Sequence, residues 1–90
     1  MHAPEARLHH YGQGIDVSGV DAIRSLMHGA LRAVPGRRSR VVHILNADDL
    51  VVTENHFEGT VAESGQRVTV DMCYFCQSVD GKVVDQREYA

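Results

Sequence analysis

No run of this chain stays apolar for the roughly 20 residues that a bilayer-spanning helix needs. Met1 to Tyr11 is interrupted by His2, Glu5, Arg7, His9 and His10, where a secretion signal would have its hydrophobic segment. Both absences argue against a membrane partner and point to the cytoplasm. Basic charge is also scarce. Nine Lys and Arg stand against 12 Asp and Glu, for a net charge of −3, which excludes a broad affinity for nucleic acid, since that needs a concentrated basic face. The one basic run, Arg37, Arg38 and Arg40, falls at a helix-to-strand junction and reads as a solvated loop. Repeats, low-complexity tracts and linkers are missing, so residues 1–90 are expected to form one domain with a modest core.

Cysteine is limited to Cys73 and Cys76. They spell C-x-x-C, but odd spacing on a strand sends the two thiols to opposite faces. A thioredoxin-like pair needs a helix N-terminus, and a zinc site needs two further ligands nearby. Both residues therefore read as small core or interface groups, and neither metal nor organic cofactor is expected.

What the chain does contain is a strong antiparallel pattern in its second half. Leu50 to Phe57, Val68 to Val79 and Lys82 to Tyr89 read as consecutive strands, with turns carrying Gly59, Gly65 and Asp80-Gly81. Asp-Gly between two alternating runs is a strong hairpin signal, because that turn needs positive φ angles. Val41 to Leu45 reads as a further strand, turned into the next by Asn46-Ala47-Asp48-Asp49. Upstream, Ile23, Leu26, Met27, Ala30, Leu31 and Val34 recur at helical spacing and predict a helix over about Ser18 to Val34. Ser18 with Asp21 has the form of a capping box, and Pro35-Gly36 stops the helix. Arg7 to Tyr11 is expected as a short strand closed by Gly12-Gln13-Gly14, with residues 1–6 frayed. The expected fold class is α+β, one main helix on a curved antiparallel sheet of about four to five strands.

Three segments carry a family resemblance: Gly19-Val20-Asp21-Ala22-Ile23-Arg24, Asp49-Leu50-Val51-Val52-Thr53-Glu54, and Val79-Asp80-Gly81-Lys82-Val83-Val84 continuing to Arg87-Glu88-Tyr89. Over residues 7–90 the chain resembles the SnoaL-like branch of the nuclear-transport-factor-2-like superfamily, which includes ketosteroid isomerases, polyketide cyclases and limonene-1,2-epoxide hydrolases. The resemblance implies a cone whose curved sheet encloses an apolar pocket. Members of the family normally begin with two or more helices that close the cone, so the chain matches the last two thirds of a typical member. An open cone exposes apolar surface, which implies a homodimer.

The resemblance also implies which side chains face the cavity: Val84, Gln86 and Glu88 from the last strand, Val70, Met72, Tyr74 and Cys76 from the one before. Asn55 and Phe57 would face in from the strand before that, and His9 and Tyr11 from the first. Cys73, Phe75 and Arg87 would face away, as a subunit interface. In the epoxide-hydrolase branch a carboxylate matching Glu88 works with an arginine and a second acid; here those two positions are Asn55 and Phe57, and the residues that hold the water are His9 and Tyr11. The triad is broken at two of its three places, which argues against ordinary epoxide hydrolysis.

An isomerase-like arrangement needs a carboxylate base and a hydroxyl donor at the developing enolate oxygen. Glu88 or His9 would be that base and Tyr74 the donor, with Tyr11, Asn55 and Gln86 as polar partners and Phe57, Val70, Met72 and Val84 as apolar wall. The implied ligand is a small apolar, oxygen-bearing molecule such as a steroid, polyketide or terpenoid, turned over by acid–base isomerisation, cyclisation or hydrolysis. The alternative is a non-catalytic ligand-binding or oligomerisation module, in which Glu88 is solvated near the chain end and Asp71, Glu54, His43 and His56 are ordinary polar residues of strand faces.

Overall fold

The computed structural model describes residues 2–90. Its elements run β1 (His2–His10), β2 (Ile15–Ser18), α1 (Val20–Ala33), β3 (Arg38–Ala47), β4 (Leu50–Thr60), β5 (Arg67–Val79) and β6 (Lys82–Tyr89). The strands form one curved sheet in the order β2-β1-β6-β5-β4-β3. The α+β class and the single helix on a curved sheet are as expected. The sheet has six strands, however, and it is mixed, because β1 pairs parallel to β6.

The meander of the second half follows the sequence pattern closely. Asp80 and Gly81 adopt φ 51° and 77°, the paired left-handed conformations that suit a two-residue hairpin. Gly59 is a correction: it lies inside β4, opposite Val68 of β5, and not in a turn. Its lack of a side chain serves a close approach. A Cβ there would meet Val34 Cγ1 at 2.5 Å and the Arg37 Cβ at 3.2 Å, so the chain leaving α1 can cross β4 only over a glycine. The amide of Ala62 donates to the Ala33 carbonyl at 2.9 Å and ties the helix end to the β4–β5 loop.

The first half departs further from expectation. Residues 2–6 are part of β1, while Met1 lies outside the described residues. Ala3 and Ala6 are buried together with Leu8. The β1–β6 register shifts between His2 and Arg7, an irregularity that accommodates Pro4, which has no N–H to give a ladder. Tyr11 lies just past the end of β1, and β2, which no periodicity announced, forms a short antiparallel hairpin with it. Ser18 ends β2 and does not cap the helix. The cap is Gly19 at φ 92°, without a side-chain bond, because the strand turns straight into the helix through a conformation only glycine adopts freely.

Helix α1 lies over β1 and β2, with Ile23 buried against Ala6 and Leu8 and flanked by Ile15, Val17 and Leu26. Two members of its predicted stripe are not covered: Met27 and Leu31 are nearly half exposed. Every residue of β3 is exposed as well, including Val41, Ile44 and Leu45. Among the described residues the core thus sits at the β1–β2 end, and the β3–β4 end of the sheet is open. Among the described residues no helix is long and apolar enough to cross a membrane.

Candidate functional site

Strand register sorts the candidate residues. Tyr74 pairs with Glu88 and Cys76 with Gln86 across β5–β6, while Met72 pairs with Asn55 and Val70 with Phe57 across β4–β5. Gln86 in turn lies beside Leu8, which packs with Ile23 of the helix. These rungs place Glu88, Gln86, Tyr74, Met72, Val70, Asn55 and Phe57 on the one face that carries α1. Cys73, Phe75 and Arg87 take the other, as the alternation implied. Cys73 and Cys76 are free and on opposite faces.

Two expected members of the site are elsewhere. His9 pairs with Arg87, and its ring stacks on Tyr11, which stacks on Tyr89 with centroids 4.6 Å apart. His9 and Tyr11 therefore belong to the face away from the helix. The residue beside Glu88 is His10, which is buried and whose Nδ1 has no hydrogen-bond partner. A signal for this was present: Ala6 and Leu8 are the apolar alternates of that strand, and they carry His10 inward with them. Val84 is the other correction. It sits where the β5–β6 register shifts, and lines a separate hollow with Ala3, Pro4 and Val79.

A chain of hydrogen bonds holds the carboxylate. His2 Nε2 donates to the Gln86 amide oxygen at 2.8 Å, and the Gln86 nitrogen donates to Glu88 Oε2 at 2.7 Å. One carboxylate oxygen is thereby fixed. The Tyr74 hydroxyl leans toward Met72, 3.6 Å from its sulfur, a weak acceptor that leaves the O–H available. Asn55 is buried and donates to Thr53 Oγ1 at 2.8 Å. Arg37, expected in solvent, instead sets its guanidinium 5.5 Å from the Phe57 ring centroid.

Electrostatics separate the roles. Burial raises the Tyr74 pKa above the ordinary tyrosine value, the charge of Glu88 raises it further, Arg37 pulls it back and Cys76 adds a small rise. Burial, then Glu88 and Asp85, raise the Cys76 thiol in the same way. Tyr74 is therefore a neutral donor at physiological pH. Its folded pKa lies above its unfolded one, so its contribution to stability is complete below about pH 10 and is lost as pH rises through the folded value. A phenolate absorbance titration should show a late component that ionises above the ordinary tyrosine range. In Tyr74→Phe that late component should vanish, and Glu88→Gln should move it toward lower pH.

A hollow of about 640 Å³ lies chiefly on the face away from α1, where His43, Leu45, Val52, Cys73 and Tyr89 line it. The Glu88 face is an open apolar wall among the described residues, not an enclosed cavity. Glu54 and Asp71 are engaged by His43 at 2.6 Å and His56 at 2.8 Å on exposed strand surface. Among the described residues no group of three or more His, Cys, Asp or Glu side chains is arranged to hold a metal ion.

The SnoaL-like domain family matches residues 1–86. The chain belongs to that family. Solved structures agree in fold. A protein of ketosteroid isomerase-like fold from Catenulispora acidiphila, solved with trimethylamine, is 13% identical with a TM-score of 0.90 over 99% of this chain and 68% of its own. A SnoaL-like polyketide cyclase candidate from Jannaschia sp. CCS1 is 20% identical, TM-score 0.89, over 97% and 65%. AclR, a candidate hydroxylase from Streptomyces galilaeus, is 26% identical, TM-score 0.79, over 97% and 61%. The SnoaL-like chain thus spans 61–68% of the length of these relatives. No curated protein matches it.

Proposed function

We propose that this SnoaL-like protein binds a small apolar molecule bearing a ketone or enol and moves a proton on it. The Tyr74–Glu88 rung carries the reading: a carboxylate and a neutral phenol stand directly across from each other on an apolar wall. Glu88, held by Gln86 on one oxygen, takes a proton from the carbon beside the carbonyl with the other. Tyr74 donates to the carbonyl oxygen as negative charge develops there. Return of the proton to a different carbon is an isomerisation, and attack of the enolate carbon on a second carbonyl is a cyclisation. His10 takes the place expected of His9, beside Glu88. The reaction, a cytoplasmic location and a homodimer formed through the Phe75–Arg87 face are parts of this reading.

The open β3 face, with Val41 and Ile44 exposed, and the exposed Met27 and Leu31 of the helix favour a second reading as a non-catalytic binding or assembly module. A thermal melt against steroids, epoxides and aromatic polyketides separates the two. A ligand at a hundred times its Kd stabilises by about 2.7 kcal/mol, and each 1 kcal/mol moves the Tm of a domain this size by roughly 4–8 °C. One ligand class is expected to raise the melt and to be turned over. A melt raised without turnover supports the second reading, and a melt that no class moves removes the first.

A further inference from the structure

Arg37 follows the Pro35-Gly36 break and precedes β3. Its backbone is packed against Gly59, whose notional Cβ would lie 3.4 Å from the Arg37 Cα, so the side chain starts from a fixed point on the helix face. From there the partly buried guanidinium reaches over Phe57. Among the described residues no carboxylate lies within ion-pair distance of it, unlike Arg7, Arg24, Arg67 and Arg87; Arg32, Arg38 and Arg40 are also unpaired but exposed, whereas Arg37 is partly buried. A planar cation with five donors, set on an aromatic ring and left without a counter-ion, suits an anionic oxygen brought by a ligand.

Its position relative to Glu88 is set by the ladder. Phe57 pairs with Val70, and Tyr74, which pairs with Glu88, lies four residues further along β5, about 13 Å at strand rise. Met72 and the Tyr74 hydroxyl that leans toward it fill the interval. The charge of Arg37 reaches that hydroxyl, since it opposes the rise in the Tyr74 pKa. One row thus runs cation, aromatic ring, thioether, phenol and carboxylate.

We infer that Arg37 selects ligands carrying an acidic oxygen, so that the substrate is an apolar acid or acidic enol long enough to span this row. Its anionic end sits on Arg37 and its reacting carbon lies near Glu88. The inference rests on reading this face as the substrate wall and deepens it by naming the class of molecule.

Fluorescence titration with anthracene-2-carboxylate and the neutral anthracene-2-carboxamide tests it. The protein should bind the carboxylate about tenfold more tightly, the scale of one charge-assisted contact. Arg37→Gln should bind the two equally while its affinity for the amide is unchanged, which shows that the wall is intact. Arg37→Lys should keep part of the preference as a point charge, and Arg38→Gln, on exposed strand, should keep all of it. Equal binding by the unaltered protein, binding of neither probe, a preference that survives Arg37→Gln, or one lost as much in Arg38→Gln would each overturn the inference. Glu88→Gln should retain the preference, so unimpaired turnover in that variant would remove the catalytic reading and leave the anion selectivity standing.

Discussion

Glu88→Gln is expected to reduce turnover of whichever ligand raises the melt by about 10²–10⁴-fold, the usual contribution of a positioned general base. Gln is nearly isosteric with Glu, so packing against Tyr74 and the contact with Gln86 change little, and the melting temperature should stay close to that of the unaltered chain. Ligand affinity should also be largely kept, because Val70, Met72 and Phe57 provide the apolar wall. Only the ability to take a proton is removed. The two readouts separate mechanism from folding: a fall in rate with Tm and Kd unchanged assigns the base. A rate that does not move excludes Glu88 from that role, and His10, buried with an unpartnered Nδ1 beside it, becomes the group to replace next.

Gly59→Val should destabilise the protein by about 1–3 kcal/mol through overpacking, lowering Tm by roughly 4–8 °C for each 1 kcal/mol. Even a single methyl at this position would sit 2.5 Å from Val34 Cγ1 and 3.2 Å from the Arg37 Cβ. Val34 is β-branched and the Arg37 atoms are next to the backbone, so relief requires the whole α1–β3 connection to lift. Lifting it strains the bond from Ala62 to the helix end and displaces Arg37 from Phe57, so the carboxylate preference should weaken along with stability. Gly29→Ala is the comparison of opposite sign. Nothing lies within 4 Å of a Cβ there, and a helix interior gains about 0.5–1 kcal/mol from alanine. If Gly59→Val melts no lower than Gly29→Ala, the close approach of the connection to β4 is not a constraint on the fold.

Both experiments bear on a site that is only partly visible in the chain. The β4–β5–β6 meander was legible because its determinants are local: alternation of apolar residues, and an Asp-Gly turn whose φ angles almost dictate the hairpin. Alternation alone sets Val70, Met72 and Tyr74 on one face of β5 and Gln86 and Glu88 on one face of β6, but an unbulged Asp80-Gly81 hairpin would set Tyr74 opposite Arg87, and the register shift at Val84 is what brings it to Glu88. The Gly59 turn, the Ser18 cap and the frayed start expected from the sequence do not form, for one shared reason. Each depends on what lies against the segment: Arg37 against Gly59, Ala6 against Gly19, and β6 against residues 2–6. A strand that pairs parallel to one more than seventy residues away leaves no mark of that partner in its own composition.

The assignment of His9 and Tyr11 failed differently. Adjacent residues of a strand face opposite ways, so an error of one position exchanges the faces completely. The resemblance supplied the wrong parity, while Ala6 and Leu8 held the right one. Arg37 offered no such clue, because nothing in Arg37-Arg38-Ser39-Arg40 distinguishes the first arginine from the others.

The sequence by itself therefore determined the strand content of the second half and the helix with its apolar stripe. These follow from backbone periodicity and turn stereochemistry, which act over a few residues. Only the tertiary structure decided that a register shift at Val84 brings Tyr74 opposite Glu88, that His10 and not His9 joins them, that Arg37 folds back over Phe57, and that the β3 end of the wall stands open. Those outcomes depend on long-range pairing and on how closely two backbones can approach, properties of the assembled chain rather than of any segment within it.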